Sequence, residues 1–175
     1  MKRSVVILFF TILLVLPIVL MASQTLEPSK SEMVSHVPFR PLTIEELERF
    51  HGHVGPAAAL GARMGEHAIT TGNIPRYFGL TVLVECPAAP PGSCLIDGLQ
   101  MATGATMGKK NILHTPAEAV KVTISDDKSG KKYVYTLKPA TQALLKRWSE
   151  EKPDVEERGK KLFQMKAEEL FNIES

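Results

Sequence analysis

Residues 43–72, TIEELERFHGHVGPAAALGARMGEHAITTG, decide how this chain folds. Thr43 followed three residues later by Glu46 is a capping box, and Ile44, Leu47 and Phe50 repeat at helical spacing. A first helix therefore begins at Thr43 and stops near His51-Gly52. A second begins at Pro56, because proline suits the first helical turn, and runs to about Gly72. Its interior holds Ala57 to Ala59, Gly61, Ala62 and Gly65. Glycine inside a helix costs about 1 kcal/mol against alanine, so the pattern predicts close packing on a neighbouring element in compensation.

Beyond this helical pair, Tyr77 to Cys86 (YFGLTVLVEC) is β-rich and bounded by turn residues, which predicts a strand. Residues 87–93 form a loop, and Ser93 is placed to cap a third helix through CLIDGLQMATG, with Gly104 near its end. GKKNIL turns the chain into a short strand. Ala119–Ser125 and Tyr133–Leu137 flank DDKSGKK as a hairpin. Thr141–Glu151 and Asp154–Ile173 read as helices separated by Pro153, the last amphipathic through Leu162, Met165, Leu170 and Phe171. There is no internal repeat. The order ααβαβββαα predicts an α+β domain with an antiparallel or mixed sheet packed by helices.

On the other side, Lys2 and Arg3 precede an uncharged run from Val5 to Ala22. Such a segment is an export signal peptide or a membrane anchor. Its length favours an anchor, whereas Pro17 and the small residues Ala22 and Ser23 favour cleavage. Either outcome places the bulk of the chain outside the cytoplasm, with membrane contact through the N-terminal segment alone. Residues 1–23 thus read as the leader, 24–42 as a polar, proline-containing linker, and 43–175 as one domain. Loss of the leader removes Lys2 and Arg3 and leaves 19 basic residues against 19 acidic ones. With no basic excess, nucleic acid is excluded as a general partner. Two cysteines exclude a self-contained four-cysteine zinc finger.

Three segments could carry chemistry. His51-Gly52-His53-Val54-Gly55-Pro56 lies where one helix ends and the next begins; imidazole serves as metal ligand, general base or anion donor, and the plain alternative is a solvated loop. In Cys94-Leu95-Ile96-Asp97-Gly98-Leu99-Gln100, Cys94 and Asp97 share a helix face that Gln100 continues. A cysteine in a first helical turn has its thiolate favoured by the dipole, so a lowered pKa is expected. Thiolate, imidazoles and a carboxylate together make a zinc or iron set. The alternative is a Cys86–Cys94 disulfide, which an exported chain permits. Thr103-Gly104-Ala105-Thr106-Met107-Gly108-Lys109-Lys110-Asn111 offers hydroxyls and lysines in a turn that could cradle an anion, but fails the P-loop pattern. Met64, Met101, Met107 and Met165 read as core filler, Trp148 as packing on the C-terminal helices, and Glu66 and His67 as facing water.

FHGHVGPAAALGARM followed by CLIDGLQMATGATMGKKNI resembles the signature of the FmdE family, which takes its name from formylmethanofuran dehydrogenase, over about residues 43–140. The resemblance implies an α+β core, often dimeric, in which the H-G-H loop and the cysteine helix meet at a metal-associated pocket. The family name reflects association with formylmethanofuran metabolism rather than a dehydrogenase activity of FmdE proteins themselves. Two family thiol positions are Gly55 and Ala105 here, and no cysteine follows Cys94.

The expectation is an extracytoplasmic relative in which His51, His53 and Cys94 hold a divalent metal, zinc first, with Asp97 as a fourth ligand or behind one. Gln100, Thr103, Thr106 and Lys109 would bind a small anionic molecule nearby, in a homodimer linked to formylmethanofuran, one-carbon or redox metabolism. Whether the pocket catalyses is left open. The alternative is a non-catalytic ligand-binding or docking module with a Cys86–Cys94 disulfide.

Overall fold

Thr43 caps the first helix in both directions. Its hydroxyl accepts from Glu46 N–H at 3.3 Å and the Glu46 carboxylate accepts from Thr43 N–H at 3.1 Å. The computed structural model describes residues 37–175, so the predicted leader and most of the linker lie outside the described residues. Helix α1 spans Ile44–His51 and closes on Gly52, whose φ of +93° is a left-handed conformation that suits glycine. Helix α2 spans Pro56–Thr70 and α3 spans Leu95–Thr103, entered through a short 3-10 turn, Gly92–Cys94. Cys94, not Ser93, occupies the cap position, without a side-chain bond.

The α2–α3 contact explains the glycine-rich interior of α2. A Cβ at Gly61 would lie 2.0 Å from the Leu95 carbonyl oxygen, and one at Gly98 would lie 1.9 Å from that of Ala58. The two backbones touch, so the propensity cost of each glycine is offset by packing that no larger residue permits. Gly61 meets Leu95 and Leu99 while Gly65 meets Ala102 and Thr103, so the helices run parallel and start at the same end of the domain.

Five strands form one mixed sheet in the order β2-β1-β3-β4-β5: β1 Leu80–Cys86, β2 Ile112–Pro116, β3 Lys121–Asp126, β4 Lys132–Leu137 and β5 Phe171–Glu174. β1 and β2 are parallel, joined by the α3 crossover, and all other pairs are antiparallel. Leu80, Val82, Val84 and Cys86 alternate into a core shared with Leu60 and Met64 of α2, Leu99 of α3, and Val122, Ile124 and Tyr135. Burying each large side chain of this kind contributes about 1.5–3 kcal/mol.

Helices α4 (Pro139–Glu151), α5 (Val155–Gln164) and α6 (Ala167–Leu170) lie between β4 and β5. Here the predicted Asp154–Ile173 helix is corrected. Met165 is extended (φ −76°, ψ 150°), and Phe171–Glu174 pairs with β4 as an edge strand. Leu170 and Phe171 sink into the core, and the backbone they carry is bonded to a ladder that continuing the helix would leave unmade. The first strand is also shorter than predicted. Tyr77 and Gly79 both have φ +72°, and Tyr77 N–H donates to Thr103 O at 2.9 Å, which delays the ladder until Leu80. Trp148 is buried, and its contact with α5, where Lys161 lies over its ring, agrees with the predicted packing on the C-terminal helices. Among the described residues no helix is long and apolar enough to cross a membrane.

Candidate functional site

The parallel start of α2 and α3 brings the His51–Gly55 loop to the cysteine helix. The loop is fixed from behind. Val54 is buried, and a Cβ on Gly159 of α5 would lie 1.8 Å from the Val54 carbonyl oxygen. Asp97, in the first turn of α3, reaches across to His51: Nδ1 and Oδ2 are 2.7 Å apart. The His51 side chain is only 10% exposed, and its Nε2 is buried with no hydrogen-bond partner. The His53 ring stands beside it, with centroids 5.0 Å apart and planes tilted by 41°.

This arrangement has a chemical direction. A carboxylate accepts only, so Nδ1 carries the proton toward Asp97 and Nε2 of a neutral ring presents its lone pair. A buried acceptor left without a partner costs about 1–3 kcal/mol. Histidines that ligate metals show this pattern, with one nitrogen on the ion and the other donating to a carboxylate that fixes the tautomer. The unpartnered Nε2 and the adjacent His53 ring are the groups here that could hold a divalent ion, with Asp97 bonded to the other side of the His51 ring. Gly55 adjoins the same place, because a Cβ there would lie 3.1 Å from His53 Nε2. Among the described residues no group of three His, Cys, Asp or Glu side chains is already gathered as a metal site.

Cys94 lies one helical turn before Asp97. The expected low thiol pKa is not found: burial raises it, the Asp97 charge raises it further, and a backbone hydrogen bond opposes only in part. The alternative Cys86–Cys94 disulfide is not formed, and both cysteines are free thiols. Cys86 is buried at the end of β1, its thiol pKa raised by burial, with Sγ 3.5 Å from Nε2 of His114 on β2.

The other predicted ligand-binding residues gather elsewhere. Thr103, Thr106 and Lys109 lie at or beyond the C-terminal end of α3, and at 1.5 Å rise per residue Thr103 is about 9 Å along the axis from Asp97. Thr103 is buried, donating its hydroxyl to Leu99 O at 2.6 Å and accepting from Ala105 N–H at 3.1 Å. The Thr106 hydroxyl accepts from Lys109 N–H at 3.2 Å, and Thr106 N–H donates to the Asn111 side chain at 3.0 Å. These groups build the turn. Gln100 is half-buried on α3, its carbonyl accepting from Gly104 N–H at 2.8 Å. The pocket expected to unite all eight residues thus divides between the two ends of one helix.

The sequence reading places His67 in water, but it is 8% exposed, with Nδ1 2.9 Å from the Tyr135 hydroxyl and Nε2 3.5 Å from Glu168. Burial lowers its pKa. A signal for this exists, since Leu60, Met64, His67 and Ala68 lie on one helical stripe. The His114–Cys86 pair has no such signal, because it depends on strand register.

A family model described as "FmdE, Molybdenum formylmethanofuran dehydrogenase operon" matches residues 50–173. The chain is also similar to a "Probable S-adenosyl-L-methionine-binding protein" of Archaeoglobus fulgidus, with 34% identity over 73 residues, 38% of this chain and 19% of that protein. It therefore spans about a fifth of that relative's length.

Proposed function

The chain belongs to the FmdE family, associated with formylmethanofuran dehydrogenase, and from that premise we propose that it is a metal-dependent binding protein for a small anionic ligand. His51 through Nε2, His53 and Cys94 are the proposed ligands to a divalent ion, zinc first, and Asp97 orients His51. The observation that carries this reading is the buried, unpartnered His51 Nε2 on a ring whose other nitrogen is held by Asp97. Zinc bound there would supply a Lewis-acid centre able to attract a carboxylate or carbonyl oxygen. The protein's own part is to fix the tautomer, to shield the ring from water, and to hold the loop rigid through the Val54–Gly159 contact.

The setting is part of the same proposal. The leader motif supports an extracytoplasmic location. Among the described residues β2 pairs on one side alone, with β1, and Leu83 and Leu113 are exposed side by side across these parallel strands; both features support a homodimer. The relative's name adds S-adenosyl-L-methionine as a molecule to try, a net cation that would reach the ion through its carboxylate, alongside one-carbon carboxylates.

Metal content tests the reading. The full chain, loaded with zinc and then dialysed, is expected to retain one ion per chain and His51→Ala to lose it. Equal zinc in the two proteins would reject the site. A second reading, a non-catalytic docking module, draws on Gly55 at the family's thiol position and on the absence of three gathered ligands among the described residues. Absence of zinc from both proteins would favour it.

A further inference from the structure

A cavity of about 340 Å³ opens where β1 and β2 begin, at the end of α3 away from the histidines. That volume lies at the lower limit of small-ligand pockets, about 300–1,000 Å³. Two charged side chains of opposite sign line it: Lys109 from the turn before β2 and Asp127 from the β3–β4 hairpin. They come from separate segments, and among the described residues neither forms an ion pair with the other or with any third group. Lys109 Nζ is 5.4 Å above the Phe78 ring, and one Asp127 oxygen accepts from the Thr81 hydroxyl at 2.7 Å, which leaves the other open.

The wall between these charges is rigid. The Asn111 carboxamide is spent at both ends, accepting from Thr106 N–H and donating to Tyr77 O at 3.1 Å. It is therefore not available to hydrogen-bond to either charged group. A simple anion drawn to Lys109 would meet the Asp127 carboxylate, and a simple cation drawn to Asp127 would meet the lysine. A molecule carrying both charges satisfies both partners at once.

We propose that this cavity binds a zwitterionic α-amino acid, its carboxylate at Lys109, its ammonium at Asp127 and its side chain against Phe78. The site is separate from the histidine pair and does not depend on a metal there. The Phe78 ring, which the Lys109 ammonium lies over, is the aromatic part of the lining, and backbone at Gly79 and Gly108 leaves room beside the charged ends.

Amide NMR titrations of the full chain with L-phenylalanine and L-leucine test this. At least one is expected to shift the Gly79, Gly108 and Asn111 amides saturably. 3-Phenylpropanoate, 2-phenylethylamine and the matching leucine analogues, each keeping one charge, should bind about tenfold or more weakly, the factor one good polar contact supplies. Lys109→Gln and Asp127→Asn should each weaken amino-acid binding to a similar degree, whereas His51→Ala should leave it unchanged. Asp127 is exposed and Lys109 half-buried, each in a turn, and an unaltered amide spectrum elsewhere reports that each variant is folded. The proposal is overturned by no saturable shift with either amino acid, by an analogue that binds as tightly, or by wild-type affinity in both charge variants.

Discussion

The two ends of α3 gather polar side chains to opposite purposes. At its start, Asp97 spends its carboxylate on one nitrogen of His51, and the other is buried without a hydrogen-bond partner. At its finish, Thr103, Thr106 and Asn111 spend their polar atoms on backbone groups, and the turn they build is closed to itself. The lesson is energetic. A buried polar group with a partner is structure, whereas one without a partner is a cost that the fold carries for some other reason. By that criterion the first end presents an unpartnered ring nitrogen, a state that Arg63 Nε and Arg76 Nε share, and the hydroxyls of the second end are scaffold, with the Lys109 ammonium beside a cavity.

The largest effect that would break the comparison is on the helix joining the two ends. Gly98→Ala places a methyl group 1.9 Å from the Ala58 carbonyl, so α2 and α3 must move apart. A loss of about 3 kcal/mol or more in urea unfolding, together with loss of zinc, is expected. The next effect sharpens the contrast. Asp97→Asn keeps the shape but weakens the hold on the His51 tautomer, and zinc affinity by competition titration should fall about 10- to 100-fold while folding stability changes little. At the other end, Asn111→Ala should cost about 1–3 kcal/mol of stability by freeing Thr106 N–H and Tyr77 O, and leave zinc affinity at the wild-type value.

How much of this is legible in the sequence follows the range of the interactions. The capping box, the proline at the start of α2, the hairpin and the reason for the α2 glycines are local or nearly so, and each is readable. The C-terminal strand is not, because Phe171 satisfies a helical stripe as well as a strand, and the open side of β4 decides between them. At the site, the meeting of the H-G-H loop with the cysteine helix is what the family resemblance implies, whereas the glycines alone do not say that α2 packs on α3 or that His51 meets Asp97. The division of the ligand-binding residues cannot, because Thr103 and Lys109 follow Cys94 closely in sequence, while a helix carries them to the far end of the domain.

Smaller effects concern protons. An imidazole held below its ordinary pKa binds fewer protons in the folded chain than in the unfolded one. Stability from the buried neutral His67 beside Tyr135 is therefore present above pH about 6.5 and declines as the pH falls through that value. His67→Gln should flatten the acid limb of a stability-against-pH curve measured by urea unfolding. The Cys94 thiol, raised by burial and by Asp97, should react with iodoacetamide at a higher pH midpoint than a free cysteine, and Asp97→Asn should lower that midpoint slightly.

The central claim is that His51 Nε2 is the zinc-ligating atom, its tautomer set by Asp97 at Nδ1. Nitrogen-detected NMR of the imidazole during a zinc titration reads that atom directly. The expected result is a saturable shift of His51 Nε2 at one equivalent of zinc, with the Nδ1 proton retained on the side of Asp97. An Nε2 resonance unmoved by zinc, while the ring stays bonded to Asp97, would contradict it.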